Sequence, residues 1–146
     1  MNKPIIRCKV AQKTGKVFFY SGSELNLINT ETARMLAEDD PSAQFSANSY
    51  SVTCANGSKM ESCGSVSLEV EIGGVISRQW FVMINNLFPR VFVGIKSMKN
   101  MNISVHPNEE CIKINRVKVP FISGVETIRN LKTSGNFHLS FLQSGE

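Results

Sequence analysis

The chain has 146 residues and a net charge of +4, with 42% hydrophobic and 19% charged residues. That balance fits one globular domain with its own core and excludes a low-complexity or charge-driven disordered chain. No apolar run approaches the roughly 18 residues of a membrane-spanning helix, and Met1-Asn2-Lys3-Pro4 lacks the apolar stretch of a signal peptide. The expectation is an intracellular, cytoplasmic protein without membrane contact, or a piece of a longer one.

The basic residues Lys9, Lys13, Lys16, Lys96, Lys99, Lys113, Arg116 and Lys118 are spread along the chain, with no block of like charge. Such a spread permits weak contact with nucleic acid but marks no dedicated face for it. The four cysteines, Cys8, Cys54, Cys63 and Cys111, contain no Cys-x-x-Cys pair, and His106 and His138 lie away from any pair of cysteines. No metal site and no cofactor are expected, and the cysteines read as small, half-buried, reduced thiols. Cys54 and Cys63 are expected to face each other across a hairpin.

In chain order the dominant signal is β. Pro4 to Val10 reads as a first strand, Gln12 to Gly15 as a turn, and the β-branched and aromatic run Lys16 to Tyr20 as a second strand. Ser21-Gly22-Ser23 breaks that run, and Leu25, Leu27 and Ile28 form an apolar cluster. A short helix over Thr30 to Leu36 follows, with Asn29 or Thr30 as N-cap. Glu38 to Ser42 is a polar loop in which Asp39 and Asp40 read as solvated. Ser49 to Ala55 alternates like a strand, and Asn56-Gly57 is the strongest short hairpin signal in the chain. A return strand over Met60 to Cys63 precedes a longer strand over Ser65 to Ile72, with Val66, Leu68, Val70 and Ile72 on one face. Gly73-Gly74 turns the chain into a strand over Val75 to Ile84. Val91 to Gly94 is a short buried run, Ile95 to Met101 a helical turn, and Asn102 to Val105 with Cys111 to Ile114 a last hairpin. Val117 to Phe121 has strand character, and residues 132–146 read as a loose tail in which Phe137, Leu139, Phe141 and Leu142 are able to dock. Strands every 8–12 residues or so, separated by turn signals, predict a small barrel or sandwich, mainly β, with one or two short helices.

Three stretches in this order carry a family resemblance. The first is Val17 to Ile28, a hydrophobic strand followed by Tyr20-Ser21-Gly22-Ser23, Glu24 and an apolar trio. The second is Ala55-Asn56-Gly57-Ser58, followed by Gly64 and the strand Val66 to Ile72. The third is Val91-Phe92-Val93-Gly94-Ile95, then Met98 and Ile103-Ser104-Val105. Together they resemble the retropepsin-like aspartic proteases, most of all Ty3/gypsy-type retrotransposon proteases and host genes derived from them, over residues 5–115. The resemblance implies a retropepsin-like half-barrel over residues 1–115 and a C-terminal extension or partly ordered tail over 116–146. It also implies a homodimer in which each protomer brings one aspartate to a shared site, a flap hairpin over Ala55 to Ser58, and a groove beneath it for an extended peptide or protein partner. Glu24 then supports the interface or the substrate backbone, and Gly94 belongs to the apolar-apolar-Gly element.

The aspartate is where this chain departs from the pattern, because its motif begins with Tyr20. Paired carboxylates share one proton, one acting as base on water while the other donates to the substrate carbonyl. A phenol with a pKa of about 10 is neutral at pH 7 and cannot replace either. It is also larger, and two rings meeting at a two-fold axis would crowd the space for water and substrate. Neither Glu24 nor the loop acids replace the missing carboxylate, and Ser21 has no histidine near it in the motif. Tyr20 reads as a natural change, because a deliberate one would more often be to Asn or Ala. The sequence therefore points to a pseudoenzyme that serves as a protein-binding and dimerisation module, with Tyr20, Ser21 and Gly22 at the silenced catalytic position and strand edges near Ile5–Val10 and Cys111–Val119. The alternatives are an aspartic endopeptidase whose acid was replaced and a basic nucleic-acid-associated domain.

Overall fold

The computed structural model describes residues 3–53 and 57–122. Strand β1 (Ile5–Val10) turns into β2 (Lys13–Phe19), and β3 (Asn26–Asn29) leads into helix α1 (Thr30–Ala37). Short strands β4 (Gln44–Ser46) and β5 (Ser51–Thr53) precede the two longest, β6 (Lys59–Ile72) and β7 (Val75–Ile84). Strand β8 (Val91–Val93), helix α2 (Ile95–Asn100) and strands β9 (Ile103–His106), β10 (Cys111–Ile114) and β11 (Val117–Pro120) complete the described fold.

The main sheet runs β1-β2-β8-β3-β7-β6-β4, and β1 also pairs with β6 through Lys9↔Glu71 and Val10↔Val70. That second pairing closes β1, β2, β8, β3, β7 and β6 into a barrel. Closure satisfies backbone groups that an open sheet would leave at its edges. Alternation fills the inside: Ile6, Val10, Val17, Phe19, Ile28, Val66, Leu68, Val70, Ile72 and Phe81 are all buried in one core with Leu36 of α1. Fully burying side chains of this size stabilises the fold by about 1.5–3 kcal/mol each. The mainly β half-barrel with two short helices agrees with the sequence reading. No helix among the described residues is long and apolar enough to cross a membrane.

Helix α1 begins where the sequence places it. The Asn29 side chain accepts a hydrogen bond from the Thr32 N–H at 3.1 Å, satisfying one of the helix's orphan donors.

Several expectations are corrected. The first turn is Ala11-Gln12, with φ of 51° and 74°, so β2 starts at Lys13 and Gly15 lies inside it opposite Cys8. Left-handed backbone at two non-glycine residues costs about 1–2 kcal/mol each. It is tolerated because the Ala11 N–H donates to Glu69 O at 2.8 Å and Ala11 is buried. Lys16 is buried as well, and burial together with Arg7 opposite it pushes its ammonium down to about 8. The sequence split β6 at Cys63–Gly64; in the structure one strand runs through, with a bulge between Ser62 and Ser65. Gly64 holds φ +109° there, and a Cβ would meet the Ser46 carbonyl. The three-residue strand β4, paired to β6 through Phe45↔Val66, was not anticipated.

The pairing Thr53↔Lys59 sets Cys63 four residues away from the partner of Thr53, so Cys63 does not sit across the hairpin tip; Cys54 itself lies outside the described residues. Cys8 and Cys111 are buried free thiols, and Cys63 is an exposed one. The second sheet, β11-β10-β9, has β10 in its middle, so Cys111–Ile114 is not an edge. Strand β11 carries the described fold past residue 115. Phe121 joins the main core, and the Ile122 N–H donates to Ile5 O at 2.9 Å. The residues expected to form a tail, including Phe137, Leu139, Phe141 and Leu142, lie outside the described residues.

Asp40 is the clearest correction to the polar-loop reading. It is 6% exposed and accepts from Arg78 Nη2 at 3.0 Å, from the Glu69 N–H at 2.9 Å and from the Ser42 N–H at 3.1 Å. Burial alone would raise its pKa, but the Arg78 guanidinium and the backbone donors outweigh it and hold the carboxyl below its usual range. Its stabilising contribution is therefore complete above the unfolded-state pKa and is lost as pH falls through the lower folded value. Asp40→Asn should cost about 2 kcal/mol at pH 7 by urea unfolding. The gap to the parent should close as pH falls below about 4; a gap that does not depend on pH would show that the charge contributes nothing.

Candidate functional site

Strand β2 ends at Phe19, and the next six residues form a loop pinned at every turn. The Tyr20 N–H donates to Val93 O at 2.9 Å, and the Ser23 N–H donates to Tyr20 O at 3.2 Å. Ser23 Oγ donates to Leu25 O at 2.6 Å. The first N–H groups of α2 cap the same loop: Ile95 donates to Ser23 O at 2.8 Å and Lys96 to Glu24 O at 3.1 Å. The loop can come this close only because residue 94 is glycine. A Cβ there would lie 2.6 Å from Leu25 O and 2.7 Å from Ser23 O.

Beneath the loop lies a buried polar network that sequence reasoning missed. Asn26 Oδ1 accepts from the Gly94 N–H at 2.8 Å, while Asn26 Nδ2 donates to Trp80 O at 3.0 Å and to Ser97 Oγ at 2.7 Å. Ser97 Oγ in turn donates to Gln79 Oε1 at 2.8 Å. Asn26 thus ties β3, β7 and the β8–α2 junction together with all its near-side groups satisfied. An asparagine inside an apolar stretch was the available signal, since a buried amide needs such partners.

Tyr20 stands at the head of this frame, 37% exposed. Its ring lies over Gly22, where any Cβ would collide with it. It packs edge-on against Phe18 at 5.9 Å and Phe92 at 6.1 Å between centroids, while Phe18 and Phe92 stack at 5.4 Å. Among the described residues the Tyr20 hydroxyl makes no hydrogen bond. These aromatic contacts hold the ring without any help from its polar end.

In front of Tyr20 opens a groove of about 650 Å³. Its floor is Tyr20, Gly22, Leu27 and Phe92; one wall is the β5–β6 hairpin with Tyr50, Val52 and Met60, and the other is the segment Asn86-Leu87-Phe88. Glu24 also lines it, exposed, and is the sole carboxylate on that lining among the described residues. The other residues expected at the site are placed as follows. Ser21 is exposed and outside the groove, and Gly94 is buried behind it as part of the frame. Gly57 and Ser58 are exposed near the hairpin tip, with Gly57 at φ +87°. Ala55 and Asn56 lie outside the described residues. The 86–88 wall carried no signal in the sequence, because only the return of β7 toward β8 brings it there. No group of three or more His, Cys, Asp or Glu able to hold a metal occurs among the described residues.

This barrel fold has counterparts among solved structures. The retroviral protease-like domain of Ddi1 from Leishmania major aligns with a TM-score of 0.67 and 18% identity, over 84% of this chain and 96% of that one. The fold is retropepsin-like. EIAV protease, in complex with the inhibitor HBY-793, aligns with a TM-score of 0.54 and 11% identity, over 71% of this chain and 92% of that one. No protein-family model matches the chain, and no curated protein matches it. Likeness at these identities establishes the retropepsin-like fold alone.

Removing the amide at the centre of the frame tests how much of the site depends on it. Asn26→Ala strips the Gly94 N–H and Ser97 of a buried partner and should cost about 2–4 kcal/mol in urea unfolding. A loss under about 0.5 kcal/mol would mean that water replaces the side chain at no cost.

Proposed function

We propose that this chain is a catalytically inactive retropepsin-like domain that works as a protein-binding and dimerisation module. The observation that carries the reading is Tyr20, a phenol at the head of the Tyr20-Ser21-Gly22-Ser23 loop, where the fold's chemistry calls for a carboxylate. Water attack on a peptide carbonyl needs a base and an acid that share one proton. A phenol hydroxyl leaning over Gly22, with no hydrogen bond among the described residues, supplies neither. Glu24 is exposed and is held in the loop by its backbone carbonyl, not by its carboxylate.

What remains is well suited to binding. The groove presents aromatic and aliphatic side chains from three segments, and among the described residues β5 pairs with β6 alone, which leaves its other edge for an added strand. Tyr20 and Phe88, 37% and 38% exposed, are large apolar groups at the groove that a second copy or an extended peptide would cover. Descent from a Ty3/gypsy-type retrotransposon protease is the origin this reading carries with it.

A second reading has one observation in its favour. The frame of Asn26, Ser23 and Gly94 is complete, as a working aspartic endopeptidase of a retrotransposon polyprotein would need, so that Tyr20 alone would stand between this chain and activity. Tyr20→Asp separates the two. The parent should cleave no peptide at acidic pH and bind no pepstatin-type inhibitor. If Tyr20→Asp gains both, the frame is intact and Tyr20 is what silences it; if it gains neither, the site has drifted beyond one residue. Cleavage by the parent itself, retained through purification and abolished by Tyr20→Phe, would overturn the inactive reading.

A further inference from the structure

Away from the groove, the three-stranded sheet carries a second arrangement of reactive groups. Ser104 and His106 are two apart on β9, so they project from the same face. Ser104 Oγ and His106 Nε2 are 2.7 Å apart. The chain then enters a 3-10 turn, Pro107–Glu109, which brings Glu109 back over the same face. Glu109 Oε2 lies 3.6 Å from His106 Nδ1. The carboxylate faces one ring nitrogen and the hydroxyl faces the other. With Glu109 ionised, the ring proton belongs on Nδ1, which leaves Nε2 as the acceptor for the Ser104 hydroxyl.

Two lysines complete the cluster. Lys113 stands directly opposite Ser104 in the β9–β10 register and reaches Glu109 Oε2 at 3.3 Å, and Lys118 of β11 reaches Glu109 Oε1 at 3.1 Å. Their hydrogen bonds, Lys118 first, hold the Glu109 carboxyl below its usual range, so it is charged at neutral pH. Lys113, paired with Ser104 in the register, also adds positive charge to the same sheet face.

We propose that Ser104, His106 and Glu109 form a second site, unrelated to the groove, at which Ser104 acts as a nucleophile toward small activated esters. A nucleophile, a base and an orienting carboxylate joined through opposite nitrogens of one imidazole is the arrangement that acyl transfer requires. Ser104 Oγ attacks the ester carbonyl as its proton passes to Nε2, giving a tetrahedral alkoxide. Collapse expels the alcohol or phenol, which takes the proton from Nε2, and leaves an acyl-Ser104. Water then attacks with His106 again as base, releasing the carboxylic acid and restoring the hydroxyl. Ser104 is exposed on an open sheet face rather than in a cleft, so the substrate class is an unhindered ester with a good leaving group, not a folded protein. Glu109 is a positioning residue, which acts through the ring.

The test uses the full chain with two probes. One is 4-nitrophenyl acetate, read by nitrophenolate release. The other is a fluorophosphonate, whose phosphorus is attacked by Ser104 Oγ with loss of fluoride and whose adduct is located by peptide mass mapping. The expected result is an adduct on Ser104 and a release rate that falls about a hundredfold in Ser104→Ala and in His106→Gln. Both variants should keep the parent's circular dichroism, since the residues are exposed or half-exposed. Glu109→Gln should slow release and Glu109→Asp should restore part of it, and the nitrogen-15 signal of the protonated Nδ1 should weaken in the Gln variant. An adduct on a lysine, a cysteine or Tyr20 instead, equal rates in the parent and Ser104→Ala, or no labelling at all would each overturn the proposal.

Discussion

The site depends on one close approach. The loop from Tyr20 to Leu25 and the start of α2 press together so tightly that Gly94 has no room for a Cβ, and the carbonyls of Ser23 and Glu24 receive the first N–H groups of the helix. Asn26 locks that contact from below by accepting the Gly94 N–H and donating into β7 and α2. In a low-dielectric interior such a network is rigid only when every member is satisfied, and here the chain from Gly94 through Asn26 and Ser97 to Gln79 is. The barrel fixes where β2, β3 and β8 lie, and this contact fixes what their ends present.

What they present is a pinned loop with Tyr20 at its head. Tyr20 is held by Phe18 and Phe92 through its ring, while its hydroxyl, the one group with any acid–base capacity, is left without a hydrogen bond among the described residues. The surrounding groove keeps its apolar lining and its hairpin wall. Under the function we propose, a site without paired carboxylates would still hold an extended chain, because holding depends on surface and backbone edges and cutting depends on a shared proton. That division makes a binding module the economical reading of the fold.

Much of this was legible because strands announce themselves by alternation. Val66, Leu68, Val70 and Ile72 alternate into the core as their spacing predicts, and Gly73-Gly74 turns the chain with φ of 56° and 84°. The equivalent turns at Ala11-Gln12 and Asn115-Arg116 adopt the same left-handed backbone with little or no glycine signal. There the strand register overrides local preference, and only the tertiary pairing reveals it. The bulge at Gly64 looked like a break for the same reason. Asp40 read as a solvated loop acid because its partner Arg78 is 38 residues distant, and Asn26 gave no sign of its partners in β7, at Gly94 and in α2. The expectation that Tyr20 stands where the resembled family carries its aspartate rests, by contrast, on the sequence alone, on Tyr20-Ser21-Gly22-Ser23 read with the flanking strand and apolar trio.

The most direct measurement is the solution mass of the unaltered chain by light scattering across a wide range of concentrations. A silenced retropepsin-like module that assembles through the surface around Tyr20 and Phe88 predicts a mass of two 16.2 kDa chains, falling toward one only on dilution. A mass of one chain at every concentration would contradict the account.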